Sequence, residues 1–227
     1  MNMKPYTNFL FVLLLALFCG TGGLFGEDKK LSNDVRWMRE SKEYQNLCRQ
    51  IYRQAEEKIS QQAKQERGNL AVVIDLDETV LDNSQYQVER LKLGLGFTQE
   101  SWSEWVNREE AGLVPGAKAF LKKARKLGFQ VVYLSNRMHA NVKPTKENLR
   151  ALGVLDPEDL FLLRRNKQDT KEIRRTEVIS GKGRMKEAGP LKVVAYLGDQ
   201  MGDFPAEVEE ALGTSIFVFP NPMYGKW

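Results

Sequence analysis

The chain has 227 residues, enough for one sizeable core, or one core with a small appendage. Its composition, 42% hydrophobic and 28% charged, is ordinary for a globular protein, and 34 basic against 30 acidic side chains leave a net charge of +4. No dominant basic block stands out, which excludes a nucleic-acid binder with a concentrated cationic face.

The chain opens with Lys4, an apolar run from Phe9 to Phe18, Cys19, and the small residues Gly20 to Gly23. A charged lead, a short apolar stretch and small residues predict a secretory leader over residues 1–26. The run is shorter than the roughly 20 residues a membrane-spanning helix needs. Cys19 at its end points to lipid attachment after cleavage, although Phe18 is large for such a site; ordinary cleavage between Gly20 and Gly26 is the alternative. Either way the expected location is outside the cytoplasm: periplasmic, anchored to the outer membrane, or secreted. With Cys19 lipidated or removed, Cys48 is the last thiol, so no intrachain disulfide is expected.

Residues 33–66 are predicted to form one helix, with Trp37, Tyr44, Cys48, Ile51, Ala55 and Ile59 on one stripe. Ser32 or Asn33 is placed to cap its start, and Gly68 follows its end. Strands and helices then alternate. Strands are expected at 70–74, 130–134, 160–163, 192–197 and 215–219, and helices at 116–126, 145–152, 170–180 and 206–212. This alternation predicts an α/β fold with a parallel sheet and right-handed crossovers. Residues 83–113 make too long a connection for a plain loop and contain Trp102 and Trp105, so they are expected to form a small cap. The remaining body spans 69–227.

In such a sheet, ligands bind at the carboxyl ends of the strands. The polar residues that follow the strands are Asp75 and Asp77, then Ser135-Asn136-Arg137, Arg164 onward, and Asp199 with Asp203. Asp75 and Asp77 stand one residue apart, so in a continuing strand they would face opposite sides. If the strand stops at Asp75 and the chain curls at once, the two converge. Converging acids raise each other's pKa unless a cation lies between them, and a hard divalent ion such as Mg²⁺ relieves this. The bland alternative is an acidic, solvated turn.

Asp75-Leu76-Asp77-Glu78-Thr79-Val80 resembles the haloacid dehalogenase (HAD) superfamily signature D-x-D-x-[TS]-[LV]. The superfamily's other segments appear in order: Leu134-Ser135-Asn136, Lys171 at the start of a helix, and Gly198-Asp199-Gln200-Met201-Gly202-Asp203. The longer wording resembles the class C acid phosphatases, the lipoprotein e family of bacterial surface phosphatases, from about residue 35 onward. The stretches that carry it are Ile74 to Ser84, Trp102-Ser103-Glu104-Trp105-Val106, Val114-Pro115-Gly116-Ala117, Ser135-Asn136-Arg137 and the tail from Pro220.

The resemblance implies a HAD-like Rossmannoid parallel sheet flanked by helices, with a small cap insertion and an N-terminal helix. It also implies hydrolysis of phosphomonoesters through an aspartyl-phosphate. Asp75 would be the nucleophile and Asp77 the general acid and base. Mg²⁺ would be held by the Asp75 carboxylate, the Asp77 backbone carbonyl and Asp199, with Asp203 orienting a metal-bound water. Ser135, Asn136 and Lys171 would surround the phosphate. Lys167 competes for the lysine role, but Lys171 stands three residues before Arg174, as the family pattern asks. Trp102 and Tyr224 match positions whose rings sandwich a nucleobase, with ordinary packing as the alternative, and Asn83 is placed as a polar contact in the same pocket. Asp203 could instead cap a helix, and Glu78 and Asp82 read as turn or cap residues. Gln200 departs from the Asn of many relatives, which loosens the expected surroundings of Asp199.

The function implied is an exported, Mg²⁺-dependent acid phosphatase for small phosphomonoesters, 5′-nucleotides foremost, with a membrane contact only through lipid on Cys19 and with a homodimer left open. One alternative is a non-catalytic surface lipoprotein that binds nucleotide or haem; the other is a HAD phosphatase for sugar phosphates. His139 is the only histidine and no R-H-G triplet exists, so histidine-phosphatase chemistry is excluded. Neither cysteine opens a phosphate loop that ends in arginine, and haem capture finds no evident axial partner for His139.

Overall fold

Apart from Met1, the structure, a computed structural model, describes residues 30–66, 68–206 and 208–225. The leader and Cys19 lie outside the described residues.

Strand β1 (Leu70–Ile74) is buried along its whole length, as its unbroken apolar, β-branched run requires of a strand covered on both faces. It lies at the centre of a five-stranded sheet with β4 (Gln130–Tyr133), β5 (Leu160–Phe161), β6 (Lys192–Gly198) and β7 (Ile216–Val218), in the order β5-β4-β1-β6-β7. Every neighbouring pair in it is parallel. Such pairs need crossovers, which α5 (Ala117–Lys126), α6 (Val142–Ala151) and α7 (Lys171–Ser180) supply as far as β6, while the described residues between β6 and β7 hold only 3-10 turns. Alternation along β1 divides the core between the two faces. Val72 and Ile74 join a cluster with Tyr52, Ile59 and Phe120, whereas Ala71 and Val73 pack with Val132, Leu162 and Val178. By burial alone, each large apolar side chain so enclosed contributes about 2 kcal/mol.

The single helix expected over 33–66 is two helices, α1 (Asn33–Glu40) and α2 (Lys42–Gln65). Ser41 separates them: its backbone is extended, and its hydroxyl accepts the Tyr44 N–H at 3.0 Å to cap α2. A serine competes with helix continuation in this way, while the apolar stripe runs on past it. Ser32 precedes α1 but makes no side-chain cap bond. The expected helix at 206–212 is reduced, in its described residues, to a single 3-10 turn at Glu209–Ala211. Pro205 and Gly213 bound too short a segment, and the turn buries no side chain to offset the cost of helix nucleation.

The 83–113 insertion folds as α3 (Ser84–Leu93) and α4 (Gln99–Arg108), closed at its base by an antiparallel ribbon of β2 (Leu81–Asp82) and β3 (Gly112–Leu113). Gly94, in the left-handed region, ends α3, and a reciprocal Thr98–Ser101 capping box starts α4. Helix α4 packs on α6 and α3 on α1, which holds the insertion over the carboxyl edge of the sheet. Strand order reverses between β1 and β6, and the crevice at that switch point is where open α/β sheets bind ligands. Among the described residues, no helix is long and apolar enough to cross a membrane.

Candidate active site

The ladder carries one residue past β1: Asp75 donates its N–H to Leu197 O at 2.9 Å. There the chain curls. Val80 and Leu81 both donate to Leu76 O, at 2.9 and 2.7 Å, and Glu78 takes a left-handed φ of 58°. Leu76 is fully buried as the anchor of this turn, and Asp75 and Asp77 both line one cavity of about 1100 Å³. The early curl is thus what lets the two acids converge. Glu78 and Asp82 serve the turn, as expected: Glu78 Oε1 accepts Asn83 N–H at 2.9 Å and Asp82 Oδ1 accepts Ser84 N–H at 2.8 Å. Burial, followed by the charges of Asp77 and Asp199, pushes the Glu78 carboxyl well above its usual range.

Asp75 is almost fully buried, with Lys171 Nζ 2.5 Å from its Oδ1. The same ammonium also donates to Asp203 Oδ1. Lys171 reaches both from the first turn of α7, whose start Thr170 caps by accepting Ile173 N–H at 3.3 Å. Of the two candidate lysines, this one is brought to the carboxylates; Lys167 lies on the cavity wall. Burial disfavours its charge, but Asp75 and Asp203 outweigh that and raise its pKa, so it stays an ammonium.

Asp75, Asp199 and Asp203 each offer a carboxylate oxygen, and these lie within 4.8 Å of one another. Burial raises the Asp75 carboxyl well above its usual range against the pull of Lys171, with Asp203, Asp199 and Asp77 adding to the rise. Asp199 is pushed up to about 6 by burial and by Asp203, while bonds from Asn221 and Gln200 and the charge of Lys171 pull the other way. Lys171 thus pairs with Asp75 and Asp203, while Asp199 is met by the neutral amides of Asn221 and Gln200. An all-oxygen set with surplus negative charge fits a hard divalent cation.

Asp203 also holds the β6 loop together. Its Oδ2 accepts the N–H groups of Asp199 and Gln200 at 3.1 and 3.0 Å. Asp203 is therefore not the N-cap of the alternative reading but the third residue of a 3-10 turn whose N-cap is Gln200, and it reaches back to that cap from within the acid cluster. The approach is close enough that a Cβ on Gly198 would fall 2.3 Å from Asp203 Oδ2, which restricts position 198 to glycine. Asp199 Oδ2 accepts from Asn221 Nδ2 at 2.7 Å and Gln200 Nε2 at 3.1 Å. Gln200 Nε2 also reaches Tyr224 O at 3.2 Å. Rather than loosening this region, the glutamine ties the tail to Asp199.

Asp77 meets different partners. Arg137 Nε donates to its Oδ1 at 2.9 Å, Asn83 Nδ2 donates to the same oxygen at 3.0 Å, and Ser135 Oγ lies 3.5 Å from Oδ2. Asn83, expected in the pocket, is instead fully buried behind Asp77. Ser135 and Asn136 line the cavity. Asn136 Oδ1 accepts from Arg174 Nη2 at 2.7 Å, and Arg174 Nη1 also donates to Ser135 O at 2.5 Å and Leu162 O at 3.0 Å, which fixes the β4 loop. Trp102 and Tyr224 face the same cavity from the cap and the tail. Trp102 meets Tyr86 edge-on at 5.0 Å and has the Arg137 guanidinium 5.9 Å from its ring centre.

Sequence reasoning gives no role to Arg137, Trp105 or Asn221. Arg137 is visible in Ser135-Asn136-Arg137, but nothing local to that triplet indicates its partner.

A family model described as HAD superfamily, subfamily IIIB (Acid phosphatase), matches residues 27–227. The chain belongs to this family of acid phosphatases. Its fold is similar to the class C acid phosphatase from Bacillus anthracis, solved with tungstate bound, at a TM-score of 0.74 and 30% identity over 86% of this chain and 84% of that one. Among curated proteins it is similar to a stem 31 kDa glycoprotein of Glycine max, 31% identical over 158 residues, and to vegetative storage protein 1 of Arabidopsis thaliana, 27% identical over 156 residues. These alignments take in 67% of this chain in both cases, and 58% and 54% of the respective relatives, so the chain spans little more than half of their length. Class C membership agrees with the motif wording, and the parallel sheet with its flanking helices agrees with the expected HAD-like architecture.

Proposed function

We propose that this chain is a Mg²⁺-dependent phosphomonoesterase that works through an aspartyl-phosphate on Asp75, with 5′-nucleotides as its preferred substrates. The observation that carries the reading is the pairing of Asp75 with Lys171 beside Asp199 and Asp203, on the floor of a cavity that Asp77 also enters. Family membership supports the reaction class.

Asp75 attacks phosphorus in line, and the bond from phosphorus to the ester oxygen breaks. Asp77 gives its proton to the departing oxygen, then takes one from the water that releases phosphate from Asp75. Lys171 keeps the nucleophile oriented and offers positive charge to the incoming phosphoryl oxygens, and the Ser135 hydroxyl and Asn136 stand on the same wall. The Asp75 carboxylate, Asp199 and the Asp77 backbone carbonyl would hold Mg²⁺. When bound, the ion lowers the repulsion between an anionic nucleophile and a phosphate dianion.

Nucleotide preference rests on Trp102 and Tyr224, two aromatic side chains on the wall of one cavity, in positions that match the family's base-stacking pair. The leader supports export, to the periplasm, to an outer-membrane anchor through Cys19, or to the medium. A non-catalytic binding protein would have no use for a nucleophile held against a buried ammonium.

The test is phosphate release by the leaderless chain from nucleoside monophosphates and sugar phosphates, with EDTA and with Mg²⁺ restored. Release is expected to disappear with EDTA and return with Mg²⁺. Full activity in EDTA would remove the metal dependence, and no release from any ester would remove the enzyme. Trp102→Ala and Tyr224→Ala are each expected to raise KM for nucleotides by roughly tenfold, the value of about one lost stacking contact. Unchanged KM in both variants would remove the nucleotide preference and leave the phosphatase standing.

A further inference from the structure

Three donor contacts around Asp77 converge on one oxygen. Arg137 Nε and Asn83 Nδ2 donate to Oδ1 at 2.9 and 3.0 Å, and Arg137 Nη2 stands 2.7 Å from the same atom. Oδ2 meets the Ser135 hydroxyl at 3.5 Å. Asn83 is 0% exposed; Arg137, 1% exposed, borders the cavity, but each of its three guanidinium nitrogens already has a partner inside the protein. Arg137 Nη1 donates to Thr145 Oγ1 at 3.1 Å and Nη2 to Asn83 Oδ1 at 3.2 Å.

Asn83 is held in one orientation by chemistry. The indole N–H of Trp105 reaches Asn83 Oδ1 at 2.9 Å, and both the indole and the guanidinium can only donate. The oxygen of Asn83 must face them, which leaves its NH₂ for Asp77 Oδ1 and for Leu81 O at 3.3 Å. A buried chain of hydrogen bonds thus runs from Trp105 on cap helix α4, through Asn83, to the acid on the β1 loop.

We propose that Arg137 and Asn83 are positioning residues for the proton transfer, and that they make Oδ2 the oxygen of Asp77 that carries the proton. The inference rests on the phosphatase reading above. A guanidinium and an amide on Oδ1 hold the negative end of the carboxyl there, so the proton belongs on the opposite oxygen. A carboxyl free to turn about its last torsion offers either oxygen in many directions, whereas one held by three contacts offers one oxygen in one direction. In the first step Asp75 forms its bond to phosphorus, the ester P–O bond breaks, and the Oδ2 proton passes to the leaving oxygen to give the alcohol. In the second, water attacks phosphorus and gives a proton back to Oδ2 as the bond from Asp75 to phosphorus breaks, so Asp77 ends as it began. Misdirecting this proton by about 1 Å costs roughly 100-fold in rate.

The distinguishing measurement is kcat/KM across phosphomonoesters graded by the acidity of their leaving alcohol, since only a poor leaving group needs the proton. For Arg137→Met we expect roughly a 100-fold loss on alkyl phosphates and less than about tenfold on p-nitrophenyl phosphate, with partial recovery on the alkyl esters in Arg137→Lys. An equal loss across the series would overturn the proposal and make Arg137 a group that supports folding or binding. Trp105→Phe keeps the ring and removes one donor; a few-fold loss confined to alkyl esters is expected, and this variant decides the matter if Arg137→Met does not fold. A Trp105→Phe loss blind to the leaving group would equally overturn it. A wild-type chain inactive on every ester would instead bring down the phosphatase reading, a result that cannot be confused with a flat leaving-group profile.

Discussion

The cavity floor has two sides that treat their carboxylates differently. Toward β6, Asp75, Asp199 and Asp203 cluster with the ammonium of Lys171, which bonds Asp75 and Asp203 but not Asp199, and burial with mutual repulsion raises the Asp75 and Asp199 carboxyls. Toward β4, Asp77 has a guanidinium and an amide on one oxygen. The first side is short of positive charge and retains an appetite for a cation. The second is balanced, and its surroundings hold direction rather than charge. A loop that places two acids one residue apart therefore gives them unlike surroundings, which is what the proposed division into a nucleophile and a proton carrier requires.

The largest expected effects break this division directly. Asp75→Asn should lose at least about 10⁴-fold in kcat, because no other group replaces the nucleophile. Asp77→Asn should lose roughly 10²- to 10⁴-fold but still accept a phosphoryl group from a p-nitrophenyl ester, whose departure needs no proton. Rapid quenching followed by intact-mass measurement should find the phosphorylated chain in the second variant and not in the first. Phosphorylated chain in Asp75→Asn, or its absence from both, would erase the distinction between the two acids.

A smaller effect separates the sides by their metal demand. Asp199→Asn removes one oxygen of the acid cluster and should raise the Mg²⁺ concentration for half-maximal activity by roughly 100-fold. Trp105→Phe, which alters only the Asp77 side, should leave that concentration unchanged. Activation curves for the two variants that shift together would mean that the sides are not separate.

Part of this arrangement is legible in the amino-acid order alone, for reasons tied to particular residues. Asp75, Ser135, Lys171 and Asp199 each stand at or near the end of a strand or the start of a helix. A parallel sheet brings those ends to one edge whatever the details of packing. The resemblance to the family, whose pattern sets the lysine three residues before an arginine, is what favours Lys171 over Lys167, and that arginine, Arg174, fastens the β4 loop through Ser135 O and Asn136. Asn83 is expected in the pocket and lies behind it. Its position follows from Asp77, Trp105 and Arg137, residues 6, 22 and 54 positions away, and no local pattern reports such contacts. The break at Ser41 is hidden for the opposite reason. The apolar stripe of Trp37, Tyr44 and Cys48 continues across it, and only the serine hydroxyl on Tyr44 N–H marks the new start.

Asp169 extends the comparison to a carboxylate with a surplus of cations, and it carries the smallest effect predicted. Arg184 donates to both of its oxygens, at 2.8 and 2.9 Å, Arg165 N–H donates at 2.8 Å, and Arg174 Nε lies 3.6 Å away. Burial opposes its ionisation, but the bonds from Arg184 and Arg165 and the charges of Arg184 and Arg174 outweigh it, so its carboxyl is held below the usual range. A carboxyl lowered on folding contributes stability that is fully present above its unfolded value of about 3.9 and is lost as pH falls through the folded value. Asp169→Asn should therefore cost about 1 kcal/mol at neutral pH, a modest figure because solvent screens part of the interaction. The difference between the two chains should shrink below about pH 4 and vanish once Asp169 is protonated in both states. Urea unfolding of the two chains from pH 7 down to pH 2 reads this directly, and the shared carboxylates cancel in the comparison. A difference that stays constant with pH would mean that the Arg184 contact acts through packing alone. One that grows toward low pH would reverse the sign and place Asp169 with the raised acids of the β6 side.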